Sequence, residues 1–287
     1  MTPENIAANW GRPTATHDPY VLAHFKPRPT DVLITTAPKA GTTWMQNILH
    51  QLRSGGDQNF HSIDEVVPWL EWPRKEQTWQ QVIADYDKIS DPRVFKTHCT
   101  YTQTPGGVEM ARIILSSRDP RDCCVSFYHH VLDFTDDARK HAGISMPESF
   151  EAHVERWLSV ASWYRNIKSW WPHHGHPNVL WLRYQDMKSD LPETINQICN
   201  FLEWSITKDQ QQRVLEFSSF NWMKRHANKF IHRKGDGKPL FKPGGFIRKG
   251  TVGDYRSLMT PDQERRIIEK AKAMLPAEAI EFLGLRQ

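Results

Sequence analysis

Four short apolar runs stand out along the chain: Val32–Thr36, Val94–His98, Ile113–Ser117 and Val179–Arg183. Each is rich in β-branched or aromatic residues and lacks polar alternation, so each predicts a strand covered on both faces. Helical spacing appears between them. Thr42–Arg53 follows the first run, and Pro120 with Arg121–Leu132 follows the third. Ser149–Trp170 carries Phe150, Val154, Trp157, Leu158, Ala161 and Tyr164 at the period of one long helix. Further helices are predicted at about Leu191–Leu202 and at Pro261–Met274, the latter with Thr260 as N-cap and Pro261 as its first residue. Strands alternating with helices predict an α/β fold: a single domain over residues 1–287 with a central, mainly parallel sheet flanked by helices.

Asn228–Asp254 breaks this pattern. It is rich in Gly, Lys and Arg (Gly235, Gly237, Gly244, Gly245 and Gly250 among them) and has almost no periodicity. A loop of this length in a compact domain is more often functional than filler. Its repelling cations and small apolar content predict a mobile basic flap that an anion would order. A permanently ordered loop pinned by Phe230, Phe241 and Phe246 is the alternative.

Composition narrows the partners. Hydrophobic residues make up 39% of the 287 and charged residues 24%, an ordinary globular balance that excludes a disordered chain. The net charge of +4 suits a small anionic ligand and is too weak to argue for nucleic acid. Cys99, Cys123, Cys124 and Cys199 form no CxxC or Cys/His ligand spacing, which implies a reduced protein without structural zinc. No signal-peptide pattern opens the chain, and no apolar run reaches ~20 residues. A soluble, cytoplasmic protein without a membrane segment is therefore expected.

The candidate chemistry begins at Val32–Leu52, "VLITTAPKAGTTWMQNILHQL". A strand stops at Pro38, turns through Lys39-Ala40-Gly41 and becomes a helix at Thr42. Such a turn aims backbone N–H groups and the helix dipole at one spot, which suits an anion. Lys39 adds a cation, and Thr42 and Thr43 add hydroxyls. An ordinary βα turn is the plain alternative. The nucleotide-triphosphatase pattern is absent, because the lysine precedes the only glycine.

This loop resembles the 5′-phosphosulfate loop, YPKSGTTW, of the cytosolic sulfotransferases, with Ala37 and Ala40 replacing its Tyr and Ser. Further segments follow in the family's order. "KTHCTY" at Lys96–Tyr101 resembles KTHLP, "ILSSRDPRDCCVSFYHH" at Ile114–His130 resembles the 3′-phosphate segment, and "LRYQDM" at Leu182–Met187 resembles YEDM. "SSF" at Ser218–Phe220 resembles TSF, and "RKGTVGDYRSLMT" at Arg248–Thr260 resembles RKGxxGDWKNxFT, the most specific of these.

The resemblance implies in-line transfer of a sulfuryl group from 3′-phosphoadenosine 5′-phosphosulfate (PAPS) to a hydroxyl or amine, leaving 3′-phosphoadenosine 5′-phosphate (PAP). It implies His98 as general base; imidazole, with a reference pKa near 6.5, suits that at neutral pH. Lys39 would neutralise the leaving 5′-phosphate, and Lys96, on the strand face of His98, would steady the sulfuryl oxygens. Ala40, Gly41, Thr42 and Thr43 would cradle the 5′-phosphate. Arg118 and Ser126 would bind the 3′-phosphate, with Arg248, Lys249 and Gly250 closing over it from the flap. Trp44, Tyr184, Ser218 and Phe220 would meet the adenine. No carboxylate cluster suggests a metal, and cationic side chains suffice for a group less charged than a terminal phosphate.

Plain structural alternatives exist for single residues: a satisfied core histidine at His98, and a salt bridge from Arg118 to Asp119 or Asp122. Two other functions compete: a different P-loop transferase using ATP and magnesium, and a non-catalytic nucleotide or polyanion binder. Cys99-Thr100 replaces the family's Leu-Pro, which predicts a different acceptor side. Phe127, Tyr128, His129, His130, Trp69, Trp72 and the Phe60–Trp79 region are candidate liners, favouring a small aromatic or apolar hydroxylated acceptor. The family's dimer pattern KxxxTVxxxE reads here as Arg256 to Arg265 with Pro261 for Val and Arg265 for Glu, so a monomer or a differently built homodimer is expected.

Overall fold

The computed structural model describes residues 2–233, 237–242 and 244–285. Its centre is a parallel four-stranded sheet in the order β2-β1-β3-β4, with β1 Val32–Ile34, β2 Val94–Lys96, β3 Arg112–Ser117 and β4 Val179–Arg183. Register pairs Ile34 with both Lys96 and Ile114, so the C-terminal ends of β1 and β2 are level. The helices that matter to the site are α1 Thr42–Ser54, α2 Pro120–Asp133, α3 Phe150–Val160, α4 Ser162–Trp170, α5 Leu191–Leu202 and α6 Pro261–Met274.

Both faces of the sheet are covered, as its unbroken apolar runs require. Successive strand residues point to opposite faces. Val32, Ile34 and Ile114 pack with Met45, Ile48 and Leu49 of α1 and with Ile195 and Ile198 of α5. Leu33, Phe95, Ile113 and Leu115 pack on the other face with Val21, Leu22 and Trp170. Truncating a fully buried leucine such as Leu33 to alanine costs about 2–5 kcal/mol. The N-terminal end of the sheet is closed by a buried ion pair, Arg93 to Asp31 at 2.6 Å. Function is thereby left to the opposite, C-terminal end, where ligands of open parallel sheets bind.

One expectation needs correction. The segment Ser149–Trp170 is two helices: Ala161 takes a left-handed conformation with φ 52°, caps α3 through its N–H to Trp157 O, and starts α4. The break turns Trp163, Asn166 and Trp170 inward, and Asn166 Nδ2 donates to the carbonyls of Thr35 and Cys99, both 3.1 Å away. A continuous period hides such a break because either half alone has a buried stripe.

The segment 228–254, expected as a mobile basic flap, has contacts of its own. Gly235 lies outside the described residues. The remainder buries more apolar surface than its composition suggests: Phe230, Ile231, Leu240 and Phe241 are all buried. Thr135 N–H bonds Leu240 O at 2.9 Å, and Lys242 N–H bonds Asp133 O at 2.8 Å, stitching the segment to the end of α2. Its cations do not simply repel, since Arg248 and Lys249 both pair with Asp254.

Candidate active site

The loops leaving all four strand ends meet in one cleft of about 2480 Å³. The loop after β1 carries Lys39 in a left-handed conformation, φ 67°, a strained state for a residue with a side chain. Gly41 follows at φ 105°, and a Cβ there would lie 2.9 Å from the Tyr184 ring. Only glycine serves at that point. Ser116, on β3, braces the turn by donating to Ala40 O at 2.8 Å. Ala40 itself is buried in the core, so only its backbone faces the turn. Thr42 and Thr43 open α1 at the cleft wall, and Thr42 Oγ1 is buried without a partner.

Desolvation in the cleft, reinforced by the neighbouring Arg118, pushes the Lys39 ammonium down to about 8. Its Nζ donates to His130 Nδ1 at 3.1 Å and lies 5.4 Å from the centre of the Phe246 ring. Donation by Nζ requires a bare Nδ1, and burial beside Lys39 keeps His130 well below its ordinary value.

His98 stands two residues beyond the end of β2, so strand alternation does not explain its pairing with Lys96. Instead the segment Pro68–Leu70 lies along β2, with Lys96 N–H on Pro68 O and Leu70 N–H on Lys96 O, each at 2.9 Å. That brings Trp69 against both residues: Lys96 Nζ sits 3.2 Å from its ring centre, and the His98 ring meets it edge-on at 5.2 Å. The His98 backbone N–H bonds Glu71 Oε1 at 3.1 Å. His98 Nδ1 lies 2.7 Å from the Thr36 carbonyl. A carbonyl only accepts, so the hydrogen sits on Nδ1 and Nε2 keeps its lone pair. Desolvation, with Lys96 next in weight, lowers His98 to about 3. Desolvation likewise lowers Lys96 to about 7.

Arg118 ends β3. Its Nη2 donates to Thr251 O at 2.7 Å and lies 3.6 Å from Asp122, while its guanidinium covers the Tyr184 ring at 4.7 Å. Asp119 is taken by Arg121 instead. Arg118 Nε remains buried and unpartnered. Asp122 ties the flap's end down by accepting from Gly253 N at 2.8 Å and Tyr255 N at 3.2 Å. Ser126 and Phe127 line the cleft from α2, and Arg248, Lys249 and Gly250 line it from the flap. Gly250, at φ 58°, lies where a Cβ would stand 2.9 Å from Phe220. Trp44 Nε1 donates to Ser218 O at 2.8 Å, with its ring edge-on to Tyr184 at 5.6 Å. Ser218 is buried behind the wall with an unpartnered Oγ, whereas Phe220 faces the cleft.

Of the predicted catalytic and donor-binding residues, all but Ala40 and Ser218 line this cleft. Trp69, Trp72, Phe127 and His130 line it too; Phe60 is buried, and Tyr128 and His129 lie off its wall. Sequence reasoning missed Thr36 O, Glu71, Asp254, and a hydrogen-bonded pair, Asp64 and His232, and it named Asp122 only as a salt-bridge partner of Arg118, not as the anchor of the flap's end. Asp254 sits inside the RKGxxGD segment and was legible there; the others carry no spacing signal.

The sulfotransferase-domain family matches residues 29–275, so the chain belongs to the sulfotransferase family. Human sulfotransferase 1E1 is 32% identical over 245 residues, covering 82% of this chain and 80% of that protein. Rabbit (Oryctolagus cuniculus) amine sulfotransferase is 30% identical over 254 residues, covering 85% and 80%. Among solved structures, mouse sulfotransferase SULT7A1 complexed with PAP shares the fold at a TM-score of 0.73 and 22% identity, over 99% of this chain and 93% of that one. Retinol dehydratase in a complex with retinol and PAP gives 0.72 at 20% identity, over 100% and 97%. The protein is accordingly a sulfotransferase, and a kinase or a mere polyanion binder is not favoured. No helix among the described residues is long and apolar enough to cross a membrane.

Proposed function

We propose that the cleft binds PAPS and transfers its sulfuryl group to a hydroxyl of a small aromatic or apolar acceptor, with His98 as general base. The observation that carries this is the state of His98: Nδ1 is committed to the Thr36 carbonyl, so Nε2 is a bare lone pair in a cleft shared with Lys39 and Lys96. His98 Nε2 takes the acceptor's proton as its oxygen bonds to sulfur. The sulfur–oxygen bond to the 5′-phosphate breaks, that oxygen keeps the electron pair, and Lys39 neutralises the charge it gains. Lys96 stabilises the equatorial sulfuryl oxygens.

The donor fits the orphaned polar atoms of the cleft. Thr42, Thr43 and the amide of Gly41 hold the 5′-phosphate at the start of α1, where the helix dipole favours an anion, while the Ala40 N–H is bonded to Ala37 O at 3.2 Å and shapes the turn. Arg118, Ser126, Arg248, Lys249 and Gly250 hold the 3′-phosphate; Arg118 Nε and Thr42 Oγ1 are buried donors without partners, as a phosphate site requires. Trp44, Tyr184 and Phe220 border the adenine, with Ser218 behind them. The phosphates' charge beside Lys39 raises the proton affinities of Lys39, Lys96 and His98 from their depressed values, bringing the base nearer its working range.

In this reading the side chains supply the electrostatic stabilisation, no divalent ion is needed, and EDTA is expected to leave turnover unchanged. One sulfotransferase domain occupies the chain, as the family match over 29–275 supports. The family's usual small dimer is disfavoured because Arg265 is engaged by Asp262 and Glu269 within its own helix. A reducing, cytoplasmic setting suits the free cysteines, three of them buried. The test is His98→Ala, assayed by mass spectrometry for a sulfate's mass gain on the acceptor. Turnover is expected to fall about 100- to 10,000-fold with PAP affinity retained; more than about a tenth of wild-type turnover at neutral pH would refute the base assignment.

A further inference from the structure

Next to His98 in the chain begins a cluster of metal-ligating side chains that this chemistry does not use. A ring nitrogen of His17, a carboxylate oxygen of Glu71 and Sγ of Cys99 all lie within 4.8 Å of one another, the one such group among the described residues. They come from three distant segments. Asp18 N–H bonds Glu71 O at 2.8 Å, and Leu70 N–H bonds Lys96 O at 2.9 Å, which brings residues 17 and 71 to the end of β2. Cys99 is fixed from both sides. Its N–H bonds Thr97 Oγ1 at 3.0 Å, and its carbonyl accepts from Asn166 Nδ2 at 3.1 Å and Trp170 Nε1 at 3.2 Å. The KTHLP pattern has leucine where Cys99 stands, so the thiol is a departure of this chain.

Such a cluster needs a reason. Glu71 is only 2% exposed, and its Oε1 accepts from His98 N–H at 3.1 Å. Oε2 is buried with no hydrogen-bond partner among the described residues. A buried carboxylate with a bare oxygen is costly, and a cation bound to it removes the cost. Thiolate, imidazole and carboxylate are zinc's ligands, taken at about 2.0–2.3 Å, whereas magnesium and calcium want oxygen alone. Tetrahedral ligands at those lengths stand about 3.3–3.8 Å apart, so side-chain rotations of about 1 Å close the three atoms on one ion. The outer hydrogen bonds suit such a role. Ligating imidazoles keep one ring nitrogen on a carbonyl or carboxylate, and His17 Nε2 lies 2.7 Å from Trp10 O. Ligating carboxylates are hydrogen-bonded in turn, as Glu71 is by His98 N–H. All three side chains line the cleft, which gives an ion its way in and leaves a fourth position open to solvent.

We infer that His17, Glu71 and Cys99 form a reversible zinc site, and that zinc bound there blocks transfer. The S–H bond of Cys99 breaks as the sulfur–zinc bond forms, and its proton goes to the buffer; no electron moves. The block follows from position. Glu71 is the carboxylate that holds the His98 N–H, and Cys99 is the next residue. Zinc draws both side chains toward itself and so shifts the peptide that carries the base. A displacement of about 1 Å can cost about 100-fold in rate. The metal-free enzyme remains the working form, so EDTA alone leaves its turnover unchanged. The block rests on the proposed role of His98, whereas the site does not.

Titrations of the reduced, metal-free protein with zinc and with cobalt(II) test the site. Calorimetry is expected to show one zinc per chain with a Kd of about 1 μM or tighter, unaffected by a large excess of magnesium. Cobalt is expected to give tetrahedral bands and a thiolate charge-transfer band. Cys99→Ser is expected to abolish the charge-transfer band, and Cys199→Ser to leave it unchanged. His17→Ala and Glu71→Gln are each expected to keep that band while weakening zinc binding about tenfold or more. Thermal stabilisation by PAP checks that each variant is folded. In the mass-spectrometric assay, saturating zinc is expected to lower wild-type turnover about tenfold or more, EDTA to restore it, and His17→Ala to escape the same zinc concentration. Absence of zinc binding, an octahedral cobalt spectrum, a charge-transfer band that survives Cys99→Ser, or zinc affinity unchanged in both His17→Ala and Glu71→Gln would each overturn the site. Zinc bound there with turnover undiminished would overturn the block. Full activity of His98→Ala would instead overturn the base assignment beneath the block, and the titrations would still decide the site.

Discussion

Replacing Arg118 by alanine removes the one guanidinium anchored at the end of β3. Its Nη2 is spent on Thr251 O at 2.7 Å, and Asp122 lies 3.6 Å away, but Nε is buried with no partner. A doubly charged 3′-phosphate offers it charge-assisted bonds, each worth about 1.5–3 kcal/mol. Part of that gain is offset because Asp122 already attracts the guanidinium. A net loss of about 3 kcal/mol follows for the alanine variant, or roughly 150-fold in Kd for PAP. The fold tolerates the change, since Asp122 keeps its bonds from Gly253 N and Tyr255 N and is not left bare. Adenosine 5′-phosphate lacks the 3′ group, so its affinity is expected to fall less than about threefold. Arg118→Lys keeps the charge without the planar fork, and an intermediate loss of about tenfold is expected. Isothermal titration calorimetry with both nucleotides reads all of these values. An equal loss for PAP and adenosine 5′-phosphate would refute the reasoning, because it would show that Arg118 does not meet the 3′-phosphate.

Protonation of the two lysines gives a pH-dependent signature. Lys39 and Lys96 lie at about 8 and 7 against an ordinary 10.5, so the ligand-free fold binds fewer protons than the unfolded chain from about pH 7 to 10.5, and its stability is expected to rise with pH across that window. PAP restores their charge, so binding at about pH 8–9 is expected to take up protons, measurable as a dependence of binding heat on buffer ionisation enthalpy. Lys39→Met is expected to diminish that uptake, and buffer-independent heats in the wild type would contradict the assignment. For the flap, hydrogen exchange is expected to show strong protection of residues 237–242 without ligand, because Leu240 and Lys242 N–H groups are bonded to His232 O and Asp133 O. PAP is expected to add protection mainly over residues 246–254; a rise spread evenly from 228 to 254 would mean that the whole segment, not just its end, orders on binding.

The local units of this protein follow from the sequence alone. Short apolar runs rich in β-branched and aromatic residues predict buried strands, and each is followed by turn and helix signals that bring its functional residues to the C-terminal end of one sheet. Lys39, His98, Arg118 and Tyr184 are legible for that reason, each being two to five residues past a strand's last apolar position. Motif spacing carries the phosphate-binding set for the same reason, because amides, hydroxyls and glycines of one turn are neighbours in the chain. What depends on distant partners is not legible. The tautomer of His98 is decided by a carbonyl 62 residues away, and His232 meets an aspartate 168 residues earlier. The depressed proton affinities of Lys39 and Lys96 come from desolvation, which exists only once the cleft has closed around them. Likewise the bend at Ala161 and the burial of Phe230 and Phe241 answer to surfaces built elsewhere in the chain. Short-range pattern therefore determined which chemistry this protein carries, and tertiary contact decided the charge state, direction and distal partner of each group, because Coulomb energy, desolvation and hydrogen bonding act through space and not along the backbone.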